Sequence, residues 1–214
     1  MFMAQVNHQE RRREIVEAVW RLLEKGGVEA ASVRGVIAET GLSSGSIRFF
    51  FSTQAGLHEF AMSSLAERVQ ERIRRAAVEP DLGQRAVAMV SELMPLRDDT
   101  ERELGVWMAF VAKARHDPAL ARIVAEQATA IREFLTTVLG DLVTLGLRPP
   151  AADIESEVIH LNAVIDGLTF ELLTAPGLIS RDQATATLRR ALLCDQEQPE
   201  DAEQPENDKE RHHD

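Results

Sequence analysis

An all-α fold of about nine helices is predicted for this chain, and three observations predict it. The 214 residues include no Tyr, with 44% hydrophobic and 28% charged. Ala, Leu, Glu and Arg dominate over β-branched runs, which favours helices. Apolar residues recur three and four positions apart, the period of an amphipathic helix. Gly and Pro then cut the chain into helix-sized segments, at Gly26-Gly27, Gly41, Pro80, Pro95, Gly146, Pro149-Pro150 and Pro176-Gly177.

Residues 1–9 have no periodicity and are expected to form a flexible arm. The first helix is predicted from about Gln9 to Lys25, with Ile15, Val19, Leu22 and Leu23 inward and Gly26-Gly27 ending it. Arg11, Arg12 and Arg13 either face phosphates or are exposed charge without a partner. The stretch from Ser32 to Phe51, SVRGVIAETGLSSGSIRFFF, reads as two short helices around a turn. Ser32 caps the first, whose stripe is Val33, Val36 and Ile37. Gly41 suits left-handed geometry at its end. Ser43 and Ser44 both offer N-cap oxygens to the second. There Ile47 and Phe51 pack inward, leaving Ser44, Arg48 and Phe49 outside. Two helices joined this way, the second exposing small polar groups and an arginine, have the geometry that enters a DNA major groove.

Ser52 or Thr53 can cap a longer helix to about Ala77, with Phe60, Leu65, Val69 and Ile73 on one face. Helices follow at about Gly83–Met94 and Thr100–Arg115. Asp117 then caps a long helix with Pro118 at its first position, running to about Leu145. The segment from about Ala151 to Thr174 carries two apolar stripes. Ile154, Val158, Leu161, Ile165, Leu168 and Leu172 form one; Ile159, Ala163, Asp166, Phe170 and Leu173 form the other. A helix apolar on two faces needs two neighbours, its own subunit and a second copy. A last helix from about Ser180 to Leu193 presents Ala184, Leu188, Ala191 and Leu192. The tail DQEQPEDAEQPENDKERHHD has no large apolar residue and is expected to be disordered, as a solubilising tail or a DNA-mimicking arm.

Charge and composition narrow the function. The net charge of −11 sits mostly in the tail, where nine acidic residues face two basic ones. The first sixty residues hold seven of each sign and are neutral, less basic than a DNA-binding head usually is. A single Cys194 excludes an internal disulfide and suits a reducing cytosol. No apolar run reaches the roughly 18 residues of a membrane span, and MFMAQVNHQERRRE has no signal-peptide core, so a soluble cytoplasmic protein is expected. His212 and His213 alone specify no metal geometry, and no cofactor or metal site is expected. No paired carboxylates with a His, no Ser/His/Asp set and no phosphate loop suggest catalysis.

In the order of its features, RRREIVEAVWRLLEKGG, SVRGVIAETGLSSGS, an aromatic cluster and a helix from Thr53, the segment Arg11 to Met62 resembles the DNA-binding domain of the TetR/AcrR transcriptional regulators. The resemblance implies a helix-turn-helix domain at 1–60, a helical ligand-binding and dimerisation domain at 61–194, and leaves 195–214 as the acidic tail. It implies double-stranded DNA as partner, contacted by Ser32, Arg34, Ser43, Ser44, Gly45, Arg48, Phe49 and Gln54. Arg48 is the base-reading candidate, suited to a bidentate contact with guanine, with a surface salt bridge as the alternative; the resemblance makes Arg34 a phosphate contact. Phe49 either touches a sugar or a thymine methyl, or packs. Where such proteins often carry Tyr-Tyr-His-Phe, this chain has Arg48-Phe49-Phe50-Phe51, and their lysine at the next helix is Gln54. Gln54 can hydrogen-bond a phosphate without neutralising it, so a shallow salt dependence is expected.

The second half is similar to the branch that includes choline-responsive BetI repressors, on VWMAFVAKARHDPAL (Val106 to Leu120) and DGLTFELL (Asp166 to Leu173). That likeness implies a ligand pocket among the middle helices and a homodimer through the helices at 151–174 and 180–193. Candidate pocket residues are Trp107 and Phe110, as an aromatic wall even for a cation, with His160, Asn162 and Asp166. Core packing is the alternative for the aromatic pair, and structural hydrogen bonding for the polar three. The expected function is a ligand-responsive repressor. The alternative is a helical small-molecule-binding protein or enzyme that does not bind DNA.

Overall fold

The computed structural model describes residues 2–51 and 53–194 (the backbone alone for 2–9, Arg12 and Arg13). Expectations for Ser52, for the Arg12 and Arg13 side chains and for the tail fall outside those residues. Nine helices follow one another among them: α1 (Phe2–Ala30), α2 (Val33–Thr40), α3 (Ser44–Phe50), α4 (Gln54–Ala76), α5 (Leu82–Ser91), α6 (Asp98–Ala114), α7 (Pro118–Thr144), α8 (Ile154–Thr174) and α9 (Arg181–Leu193). None is long and apolar enough to cross a membrane.

Most helix ends lie where the capping chemistry puts them. Ser32 Oγ accepts from Gly35 N–H, Thr53 Oγ1 from Gly56 N–H and Asp117 Oδ1 from the N–H groups of Ala119 and Leu120. Ser180 and Gln183 cap α9 reciprocally. Each such cap satisfies donors that a helix leaves orphaned and contributes about 1 kcal/mol. Gly41 ends α2 at φ 68°, as its position between two short helices requires.

The first helix corrects two expectations. Its helical backbone begins at Phe2, so the segment read as a flexible arm is helical instead. Hydrophobic periodicity reports which side chains a core covers, and it is blind to a turn that meets no core. At the other end Gly26 (φ −147°) and Gly27 (φ 64°) leave helical geometry, yet another turn follows through Val28 to Ala30. The glycine pair kinks this helix rather than ending it.

Two apolar cores divide the molecule. The first gathers Ile15, Val19 and Leu23 of α1 with Val36, Ile47, Phe51 and Leu57, and takes in Phe110 of α6 and Leu120 of α7. The second joins α5, the C-terminal half of α7, α8 and α9 around Val90, Leu139, Leu161 and Leu188. Helix α4 runs unbroken from the first towards α5. A polar cluster ties the neighbouring helices where it does so. Arg72 of α4 donates to Glu103 Oε2 of α6 at 2.6 Å and to Glu92 Oε2 at 2.9 Å. Arg97 joins Glu92 at 2.7 Å, and the Arg68 guanidinium lies 4.8 Å from the Trp20 ring centroid on α1. A pair this sheltered holds its geometry because losing one partner strands the other's charge.

Candidate DNA-binding interface

Helix α3 is short, and its two faces are opposites. Ile47 is fully buried and anchors the helix to the first core, while Phe51 at its end is buried beside it. Ser43, Ser44, Gly45 and Arg48 lie exposed, and Phe49 is 75% exposed. Ser43 is the cap: its Oγ accepts from Ser46 N–H at 3.1 Å. Ser44 is the first helical residue, which leaves its hydroxyl unspent on capping. Gly45 has no internal reason to be glycine, since an added Cβ would meet only Ser43 Oγ at 3.8 Å. Its bareness matters only to something approaching from outside.

Charge in this half is sorted by helix. On α1, Arg11 pairs with Glu14 at 3.2 Å and Arg21 with Glu39 at 2.7 Å, with Lys25 also near Glu39 at 3.8 Å. The Arg21 hydrogen bond holds the Glu39 carboxyl below its usual range. Arg34 on α2 and Arg48 on α3 make no ion pair among the described residues and are exposed. A head neutral in sum therefore offers open positive charge on its two helix-turn-helix elements.

Gln54 departs from expectation. Its Nε2 donates to the Ala31 carbonyl at 2.7 Å and lies 2.8 Å from His58 Nε2, while Oε1 accepts from Val33 N–H at 3.3 Å. Phosphate oxygens only accept, and both amide hydrogens of Gln54 are committed inside the protein. The side-chain phosphate contact expected of Gln54 is corrected accordingly: this residue braces the α1–α2 turn against α4. Two further residues escaped sequence reasoning. His58, buried beneath Gln54, lies four positions along and could have been found as its helical neighbour. Gly35 lets α2 press against the end of α1, for a Cβ there would stand 2.5 Å from the Ala30 carbonyl oxygen; no local signal reveals that approach.

Residues 83–193 match the family model described as BetI-type transcriptional repressor, C-terminal. The chain is also 34% identical over 180 residues to the HTH-type transcriptional regulator PksA of Bacillus subtilis (strain 168), covering 84% of this chain and 86% of that one. This chain belongs to the TetR family of transcriptional regulators. The fold agrees with solved members. A transcriptional regulator from Rhodococcus sp. Rha1 superposes with a TM-score of 0.71 at 27% identity, covering 85% of this chain and 93% of that one. A regulator from Saccharomonospora viridis in complex with choline gives 0.68 at 21% identity, covering 84% and 94%, a likeness of fold.

The BetI-type half does not bring the five candidate ligand residues together. Phe110 is fully buried in the first core, its ring edge-on to His58 with centroids 5.5 Å apart, and Trp107 packs against the same core. Both rings thus pack between α6 and the head, the alternative that the sequence left open for them. His160 and Asp166 lie exposed on α8, away from that pair, and Asn162 donates to Asp166 Oδ2 at 2.7 Å. Although the residue keeps contact with solvent, partial burial of its carboxyl raises Asp166 above its usual value, offset in part by that hydrogen bond and by Arg132. The same side of α8 leaves Ile159 48% and Phe170 58% exposed, while Val158, Leu161 and Ile165 fill the second core. A cleft of about 310 Å³ opens elsewhere, between the Gly27 kink of α1 and α6, with Leu23, Val28, Val106 and Ala109 as its apolar lining. Glu24 and Arg102 also line it, 3.8 Å apart.

Proposed function

We propose that this TetR-family regulator is a homodimeric repressor that binds a partly palindromic operator in the cytoplasm and is released by a small-molecule effector. The observation that carries the reading is the exposed face of α3, where Ser44, Gly45 and an Arg48 without an ion pair stand together. In this reading labour divides near residue 60. Ser43, Ser44 and Gly45 let the N-terminus of α3 approach base edges, and Arg48 reads guanine through two hydrogen bonds. Ser32 and Arg34 hold phosphate at the start of α2, and Phe49 meets a sugar or a thymine methyl.

Dimerisation through α8 and α9 is supported by the two-faced α8. One face fills its own core, and the other leaves Ile159 and Phe170 open for a second copy. A two-fold pair sets two α3 helices against half-sites about 34 Å apart, one turn of DNA. An effector that binds one arrangement of heads better than another shifts the pair out of that spacing. The effector in this reading is defined only as a small molecule.

The test is selection of duplexes from a random library by the full-length protein, followed by fluorescence anisotropy of the winner and of its scramble at one salt concentration. Specific regulation predicts an enriched, partly palindromic site bound roughly a thousandfold more tightly than the scramble. No enriched site contradicts the proposal.

A further inference from the structure

The amide of Gln54 touches two groups at the α1–α2 turn and one on its own helix, and their polarities allow one orientation. The Ala31 carbonyl accepts only, so it faces the NH2; Val33 N–H donates only, so it faces Oε1. The remaining amide hydrogen is directed at His58 Nε2, 2.8 Å away. That nitrogen must accept, so the imidazole is neutral with its proton on Nδ1, and the Val28 backbone near the ring favours its protonated form. Val33 N–H is among the orphan donors of α2, beside the Gly35 N–H that Ser32 takes. His58 itself is 2% exposed and abuts Phe110 of α6. One ring therefore touches the end of α1, the brace at the start of α2, and α6.

We propose that neutral His58 is a positioning residue of the DNA-binding head: by accepting from Gln54 it locks the amide that braces the α1–α2 turn, and so sets the helix-turn-helix relative to α6. For its DNA arm alone this inference rests on the proposed repressor function. The charged groups facing the ring are Lys113 on α6, Glu29 on α1 and Asp117 after α6, with Lys113 paired to Glu29. Burial first, then Lys113, holds the His58 pKa below its usual value, while Asp117, the Val28 carbonyl and Glu29 oppose that shift. Below the folded-state pKa, Nε2–H points at the Gln54 NH2. Two donors then face each other, and the amide turns away from Ala31 and Val33.

Three variants of the full-length protein test this. His58→Phe keeps a ring against Phe110 without an acceptor, Gln54→Ala removes the brace, and His58→Gln returns a neutral acceptor at similar reach. Amide hydrogen exchange without DNA is read first. Exchange at Val33 rises about tenfold in His58→Phe and Gln54→Ala, as loss of one hydrogen bond implies, and returns towards wild type in His58→Gln, with α7 and α8 unchanged. Affinity for a library-selected duplex follows the same order. In the wild type it falls only as pH drops through the lowered folded-state pKa of His58, beneath the usual histidine range, whereas His58→Gln shows no such step. Unchanged Val33 exchange in His58→Phe overturns the proposal, whatever Gln54→Ala shows; so does a pH step retained by His58→Gln. If His58→Phe does not fold, the pH dependence of Val33 exchange in the wild type against His58→Gln decides. A raised Val33 exchange with no selectable duplex upholds the brace and contradicts the repressor function instead.

Discussion

Arg72 on α4 and Glu103 on α6 meet at 2.6 Å with side chains only 15% and 9% exposed. The pair lies between the helix that leaves the head and the helix that carries Phe110 into it. Glu103 also takes Arg68 at 3.4 Å, and Arg68 in turn covers Trp20 of α1. In the proposed release, a motion of the head relative to α6 would have to break or re-register these bonds.

Glu103→Ala leaves Arg72 with Glu92 alone and takes the acid partner from the partly exposed Arg68, so it is expected to cost about 2 kcal/mol. Urea unfolding of the full-length protein at pH 7 checks it. A loss under about 1 kcal/mol means that solvent or Glu92 takes over the partnership.

Gly35→Ala drives a Cβ to within 2.5 Å of the Ala30 carbonyl oxygen, which is backbone and yields poorly. A loss of about 2 kcal/mol is expected, typical of overpacking. Gly41→Ala meets open space but a φ of 68°, so its cost of about 1 kcal/mol comes from strain alone. Thermal unfolding of the two variants side by side distinguishes crowding from strain.

These two glycines also show how much was legible. Gly41 could be read because a turn between short helices is a local demand, and local chemistry likewise gave Asp117-Pro118, Ser32 and the inward Ile47. Gly35 could not, since its constraint comes from the end of another helix. Gln54 misled for the same reason: its composition suits a phosphate, but Ala31 and Val33 claim it from 23 and 21 positions away. Phe110 was read as either pocket lining or core, and the choice fell to a neighbour from the head, His58, that no local pattern names. The outward stripe of α8 was readable because it repeats along a single helix.

Asp166 offers a pH prediction. Its carboxyl is raised above 3.8 chiefly by burial, so the folded state holds the proton more tightly than the unfolded chain. The stability this contributes is fully present below 3.8 and is lost as pH rises through the raised value. Asp166→Asn is uncharged throughout. It is expected to unfold at higher denaturant than the wild type at pH 7, with the difference shrinking towards pH 4. A difference independent of pH contradicts the assignment.

Phe170→Glu places a charge on the exposed face of α8 without touching either core. The variant is expected to keep its helical content and unfolding midpoint in dilute solution, yet to sediment as a monomer at concentrations where the wild type is a dimer. A dimer unaffected by Phe170→Glu and by Ile159→Glu contradicts pairing through this face.

The most direct measurement compares wild type and Arg48→Ala on a library-selected duplex by anisotropy, at one salt concentration, with sedimentation run alongside. Losing a bidentate base contact costs roughly 1–3 kcal/mol, so at least about a tenfold loss of affinity is predicted. The dimer should be intact and discrimination against the scramble reduced. Equal binding by both proteins would contradict the account of α3 as the reading helix.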